Sequence, residues 1–177
     1  MKYPMFKVHI DEDSAIKELR KVLKSGYLNE GEQVKKFTNF FSEYLKEENV
    51  VMTNSCTSSL TMALILAGVK PGDEVITTSM TCLATNTPIV NVGGTVVWAD
   101  IDSRTGCIDP ESVSKKITNK TKAVICVNWA GIPCDLERLS KICTENNIKL
   151  IQDAAHGMGS MLNNQSIVKF SDYTCFS

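Results

Sequence analysis

The sequence lacks an excess of charge of either sign: nineteen Lys and Arg oppose twenty Asp and Glu, for a net charge of -1 over 177 residues. Without a bulk field to attract nucleic acid or an anionic membrane, neither partner is expected. Long apolar runs are missing too. The longest, residues 62–69, falls well short of the roughly 20 residues needed to span a bilayer, and Met1-Lys2-Tyr3-Pro4 opens no signal-peptide pattern, so the expected location is cytoplasmic. The seven cysteines (Cys56, Cys82, Cys107, Cys126, Cys134, Cys143 and Cys175) contain no CxxC pair. Their odd number and wide spread exclude a disulfide framework or a zinc site and point to reduced thiols, most of them small core side chains. No G-x-G-x-x-G turn follows a candidate strand, which argues against a dinucleotide-binding dehydrogenase. Internal repeats and low-complexity linkers are absent as well.

What is present is the composition of a soluble globular domain, 43% hydrophobic and 22% charged. Ile16, Leu19 and Leu23 recur at helical spacing between Asp11-Glu12-Asp13 and Ser25-Gly26, predicting a first helix. Val34, Phe37, Phe41 and Tyr44-Leu45 predict a second, with that face in the core. The two define an N-terminal helical segment, residues 1–48. From residue 49 the texture changes to short apolar runs alternating with helical patterns. Strands are expected at Val50-Val51-Met52 and at residues 74–78, 95–99, 123–127 and 149–152. Helical patterns lie on Leu60, Ala63, Leu64 and Ala67, on residues 83–90, on residues 113–117, and on Leu136, Leu139 and Cys143. This alternation predicts an α/β domain over residues 49–177, three-layer α/β/α with a mainly parallel sheet. The last residues, Ser171 to Ser177, read as a strand being entered with no cap or turn after it, so a split or truncated polypeptide is expected.

In an open α/β sheet, ligands collect beyond the carboxyl ends of the strands. Asn54-Ser55-Cys56-Thr57 joins a strand to a helix there, where free N–H groups and the helix dipole favour an anion and Ser55 or Thr57 adds a hydroxyl. The same residues also read as an ordinary N-cap. Leu150-Ile151-Gln152-Asp153-Ala154-Ala155-His156-Gly157 puts a carboxylate at a buried strand end, where it needs a partner such as a protonated ring nitrogen. The two alanines leave room for a flat ligand, with His156 or Gln152 at its edge. Asp153 as a helix cap and His156 as a surface residue is the alternative. Asp100 and Asp102 precede Ser103 and Gly106, the pattern of a capped turn rather than a metal site.

Taken in order, Ser25-Gly26-Tyr27-Leu28-Asn29-Glu30-Gly31, Asn54-Ser55-Cys56-Thr57-Ser58-Ser59-Leu60, Pro71-Gly72-Asp73-Glu74-Val75-Ile76, Asp100-Ile101-Asp102 and Gln152-Asp153-Ala154-Ala155-His156-Gly157 resemble the DegT/DnrJ/EryC1/StrS sugar aminotransferases, a branch of the fold-type I pyridoxal-phosphate enzymes. The resemblance runs over nearly the whole chain. It implies the incomplete large domain of such an enzyme, with pyridoxal 5'-phosphate as cofactor, glutamate as amino donor and a nucleotide-linked keto-sugar as acceptor. It further implies a cytoplasmic homodimer, or a chain completed by a C-terminal polypeptide. Cofactor-binding residues carried over are Ser55, Cys56 (through its backbone N–H), Thr57 and Ser177 on the phosphate, Asp153 on the pyridinium nitrogen and His156 near the ring hydroxyl. Cys82 occupies the position where the family commonly stacks an aromatic ring or His on the pyridine, so stacking is expected to be weaker. Tyr27, Leu28 and Asn29 are implied as sugar contacts, with a plain turn between two helices as the other reading.

Ser177 matches the serine that opens the family's Phe-Ser-x-x-x-x-Lys segment, whose lysine bonds the cofactor and shuttles the proton. None of Lys115, Lys116, Lys120, Lys122, Lys149 or Lys169 occupies that position. The resemblance therefore implies no catalytic residue within the chain and negligible transamination by the chain alone. Relatives with His in place of the lysine imply a sugar dehydratase as the alternative. A non-catalytic remnant or partner-binding module is the third reading.

Overall fold

A computed structural model describes residues 8–177, and the opening Met1 to Pro4 lies outside the described residues. The chain forms two compact units, the first ending at Met52 and the second running Thr53–Ser177.

The first unit holds α1 (Glu12–Ser25) and α2 (Glu32–Leu45). The Asp11 carboxylate caps α1 by accepting from the Ser14 N–H at 3.3 Å, and Gly26, at φ 73°, ends it in the left-handed conformation that glycine adopts without strain. Gln33 donates from Nε2 to Glu18 Oε2 at 3.1 Å, tying α2 to α1. The apolar spacing locates both helices, but the burial expected of the α2 face is found only in part. Only Phe41 and Leu45 are buried, while Ile16, Leu19, Leu23, Phe37 and Tyr44 are each half exposed or more. The physical reason is that a two-helix unit can cover only the seam between its helices.

The second unit is a five-stranded sheet in the order β2-β1-β3-β4-β7, every neighbouring pair parallel. Its strands are β1 (Glu74–Thr77), β2 (Thr95–Trp98), β3 (Thr121–Val127), β4 (Lys149–Asp153) and β7 (Tyr173–Cys175). β5 (Met161–Leu162) and β6 (Gln165–Ser166) form a small antiparallel hairpin. Successive residues along each strand serve opposite faces. Val75, Ala123, Ile125 and Ile151 pack with Leu60, Ala63 and Leu64 of α3 (Cys56–Leu66) and Ile89 of α4 (Leu83–Asn91). Ile76, Val124, Cys126 and Leu150 pack with Val113 of α5 (Pro110–Lys116) and Leu136, Leu139 and Cys143 of α6 (Leu136–Glu145). The period-two alternation thus builds two cores and a three-layer α/β/α domain. Each fully buried Leu or Ile in these cores contributes about 1.5–3 kcal/mol of apolar transfer.

One expected strand is absent. Val50-Val51-Met52 joins no ladder; Val51 is exposed, and the Val50 N–H bonds to Glu48 O at 3.0 Å in a local turn. The turn reading of Asp100-Ile101-Asp102 agrees with the structure. Asp102 Oδ1 accepts from the Arg104 N–H at 2.8 Å, and the hydrogen-bonded Arg104 side chain holds the Asp102 carboxyl down at about 2.

Fully buried Gln152 ties the carboxyl end of β4 to its neighbours. Its Oε1 accepts from Asn128 Nδ2 at 2.9 Å, and its Nε2 donates to Ile167 O and Ser171 Oγ, both at 2.8 Å. Asn128 in turn accepts the Cys134 N–H at 3.1 Å. Gln152→Leu preserves bulk and strands these partners, each at about 1–3 kcal/mol. Its urea midpoint is expected to fall by the equivalent of about 2–4 kcal/mol; an unchanged midpoint and slope would show that the network contributes nothing.

Candidate active site

From β1 the chain runs out to β2 on one side, then returns past β1 to β3 on the other. The helices that follow diverge accordingly: α4 covers one face and α5 the opposite one. Such a reversal opens a crevice beyond the carboxyl ends of the strands. Four segments lie at those ends: 78–82 after β1, 128–131 after β3, 154–160 after β4, and Phe176-Ser177 after β7. The N-terminus of α3 joins them through Cys56, whose thiol lies 3.5 Å from Cys175 O and 3.8 Å from Asp153 Oδ1.

Asp153 ends β4 with 6% of its surface exposed. Its Oδ2 accepts from the Thr85 hydroxyl at 2.6 Å, and its Oδ1 accepts from the Ala155 N–H at 3.1 Å and, at longer range, from the Cys56 thiol. All three partners are neutral donors, and among the described residues no lysine, arginine or histidine forms an ion pair with it. A buried carboxylate normally has a countercharge, so this one is suited to receive a cationic N–H from a ligand.

At the N-terminus of α3, Ser55 is the N-cap that the sequence allowed. Its Oγ accepts the Ser58 N–H at 3.1 Å and donates to Ser58 Oγ at 3.0 Å. The Ser59 N–H bonds to Ser55 O. That leaves the Cys56 and Thr57 N–H groups as first-turn donors without an intrahelical acceptor, at the positive end of the helix dipole. These two N–H groups can serve an anion while Ser55 keeps its cap.

Cys82 occupies the N-cap position of α4 and is exposed. Beside it, Thr77 Oγ1 donates to Asn86 Oδ1 at 2.9 Å and Asn86 Nδ2 to Thr78 O at 3.1 Å, pinning the end of β1 to α4. His156, also exposed, lies against the turn after β3: its Nδ1 accepts the Ala130 N–H at 3.3 Å, and its ring centroid is 5.9 Å from that of Trp129. Ala130 sits at φ 53° in the left-handed region, where an alanine is strained. Ser160 Oγ donates to Gly131 O at 2.7 Å and holds that turn in place. Ser177 is exposed after β7. Tyr27, Leu28 and Asn29 lie in the first unit, exposed on the connection between α1 and α2.

Sequence reasoning missed Thr85, Trp129, Ala130 and the thiol of Cys56. Trp129 and Ala130 follow the strand predicted at 123–127, so the strand-end rule alone could have flagged them. Thr85 carries no such signal.

Burial, followed by the charge of Asp153, pushes the Cys56 thiol up to about 12; burial, followed by Cys56 and Asp153, does the same to Cys175. Neither thiol ionises near neutral pH, whereas Cys82 is exposed. Alkylation of the folded chain at neutral pH is therefore expected to label Cys82 first and leave Cys56 and Cys175 unmodified, as read by peptide mass. Early labelling of Cys56 would contradict the geometry. With His156 Nδ1 accepting a hydrogen bond, the neutral ring must carry its proton on Nε2. Nitrogen NMR of the chain's two histidines, with His9→Gln for assignment, is expected to show His156 as the Nε2–H form. An Nδ1–H signal would contradict it.

The chain matches the DegT/DnrJ/EryC1/StrS aminotransferase family over residues 9–177. It is 36% identical over 162 residues to the spore coat polysaccharide biosynthesis protein SpsC of Bacillus subtilis, covering 92% of this chain and 42% of SpsC. It is 31% identical to the GDP-perosamine synthase of Vibrio cholerae, covering 98% of this chain and 47% of that protein. The solved PLP form of Spr1654 from Streptococcus pneumoniae superposes with a TM-score of 0.94 at 32% identity, covering all of this chain and 49% of that one. The chain thus spans about half the length of the relatives it matches. The parallel five-stranded sheet and the strand-end crevice accord with those matches: this chain belongs to the DegT/DnrJ/EryC1/StrS aminotransferase family.

Proposed function

We propose that the chain is the N-terminal, cofactor-cradling portion of a cytoplasmic pyridoxal-phosphate-dependent aminotransferase that moves an amino group from glutamate to a nucleotide-linked keto-sugar. In this reading the chain works as a homodimer or with a complementing C-terminal polypeptide. The observation that carries the reading is Asp153, a buried carboxylate whose partners among the described residues are all neutral donors. Its donor set suits the protonated nitrogen of the cofactor ring, and the free N–H groups at the start of α3 suit the cofactor phosphate.

Each residue then has a task. Asp153 accepts from the ring N–H and, by its charge, keeps that proton in place. Cys56 and Thr57 bind the phosphate through backbone N–H groups, with the Ser55, Thr57 and Ser177 hydroxyls beside it. Cys56 also connects the two subsites, since its thiol reaches Asp153. Cys82 packs on the ring, over a smaller area than an aromatic side chain would cover. His156 donates from Nε2 to the ring edge, its Nδ1 being held by Ala130. Tyr27, Leu28 and Asn29, exposed on the first unit, are the proposed sugar contacts. When bound, the cofactor supplies an electron-withdrawing ring that makes the proton alpha to an amine labile. The GDP-perosamine synthase relative supports a nucleotide-linked sugar as acceptor.

The test is a titration of the chain with pyridoxal phosphate, followed by absorbance. Saturable binding is expected, weakened by Asp153→Asn about tenfold to a hundredfold, because one charge-assisted hydrogen bond is lost. Bound pyridoxal phosphate should also slow alkylation of Cys82. Absence of saturable binding, or equal binding by Asp153→Asn, would overturn the reading.

A further inference from the structure

We propose that Thr85 is a positioning residue: Thr81 and Thr85 form a one-way hydroxyl chain that fixes the Asp153 carboxylate for the incoming ring N–H. The inference rests on the cofactor reading above.

Proton counting sets the direction of the chain. A threonine hydroxyl has one proton. Among the described residues, all hydrogen bonds to the Asp153 oxygens come from donors, so the Thr85 proton lies on the 2.6 Å line to Oδ2. The 2.6 Å contact between Thr81 Oγ1 and Thr85 Oγ1 must then have Thr81 donating. Thr85 receives one hydrogen bond and makes another, and each polarises the next in a site where Thr85 is 1% and Asp153 6% exposed.

Three other helical threonines spend that proton locally. Thr38, Thr61 and Thr87 each donate to the carbonyl four residues earlier, at 2.9 Å. Thr85 instead sends its proton to an aspartate 68 residues away in sequence. With the Ala155 N–H on Oδ1, both carboxylate oxygens are tethered from different elements, so the side chain cannot rotate and its remaining lone pairs are set before a ligand arrives. Pre-setting an acceptor in a dry site is how a fold avoids the cost of reorganising it on binding.

The full chain and its Thr85→Val, Thr85→Ser and Thr81→Val variants separate this role from simple packing. In the cofactor-free protein, the carboxyl carbon resonance of Asp153 is expected to move in Thr85→Val and to stay in Thr85→Ser. With ring-nitrogen-labelled pyridoxal phosphate, Thr85→Val is expected to bind about tenfold more weakly and to shift the nitrogen resonance away from its protonated position. Thr85→Ser should stay within about twofold of the unmodified chain, and Thr81→Val should lie between the two. An unchanged Asp153 resonance in Thr85→Val overturns the hydroxyl chain even where no cofactor binds. Failure of the unmodified chain to bind would count against the proposed function alone, because the cofactor-free arm still decides the role of Thr85. If Thr85→Val unfolds, Thr81→Val decides: an Asp153 resonance and a cofactor affinity both equal to those of the unmodified chain overturn it.

Discussion

The carboxylate of Asp153 stands at the end of a buried strand, tethered by a hydroxyl, a backbone amide and a thiol and, among the described residues, by no cation. Burial of an ion without a countercharge is costly, and three neutral donors recover only part of its lost hydration. The local structure is arranged around that cost. The first turn of α4 lends Thr85, the turn after β4 lends the Ala155 amide, and the start of α3 lends Cys56. A protonated ring nitrogen would supply the missing countercharge, so holding a cofactor and stabilising the site become one physical event.

That arrangement depends on strand order. Because β3 and β4 lie on the far side of β1 from β2, the helices α4 and α5 leave toward opposite faces, and polar groups from distant parts of the chain meet at one sheet edge. Gln152 holds the other side of the same strand end, bridging Asn128 of the turn after β3 to Ile167 and Ser171. One residue thus anchors β4 to its neighbours while the next faces the crevice, which follows from the alternation of side chains along a strand.

Much of this was legible in the chain. Apolar runs separated by amphipathic stretches placed β1 to β4 and the helices within a few residues, and the strand-end rule singled out Asp153; it reached the Ser55 to Thr57 segment only through Val50-Val51-Met52, which forms no strand. The misses have physical causes. Apolar spacing in α1 and α2 locates the helices but cannot say what covers them, and Phe37 and Tyr44 lie exposed. Val50-Val51-Met52 has the composition of a strand but joins no ladder. Thr85 looks like any helical threonine, since its proton is drawn away by a residue brought near only by the order of the strands. The place of Ala130 after β3 could have flagged it, but its left-handed backbone has no local cue, because alanine, unlike glycine, carries no preference for that conformation.

A crystal structure of the chain grown with pyridoxal phosphate tests the central claim most directly. The account predicts the cofactor phosphate on the Cys56 and Thr57 amides and the ring nitrogen within hydrogen-bond distance of an Asp153 oxygen, with Thr85 still on Oδ2. A cofactor bound elsewhere, or a lysine or arginine side chain paired with Asp153, would contradict it.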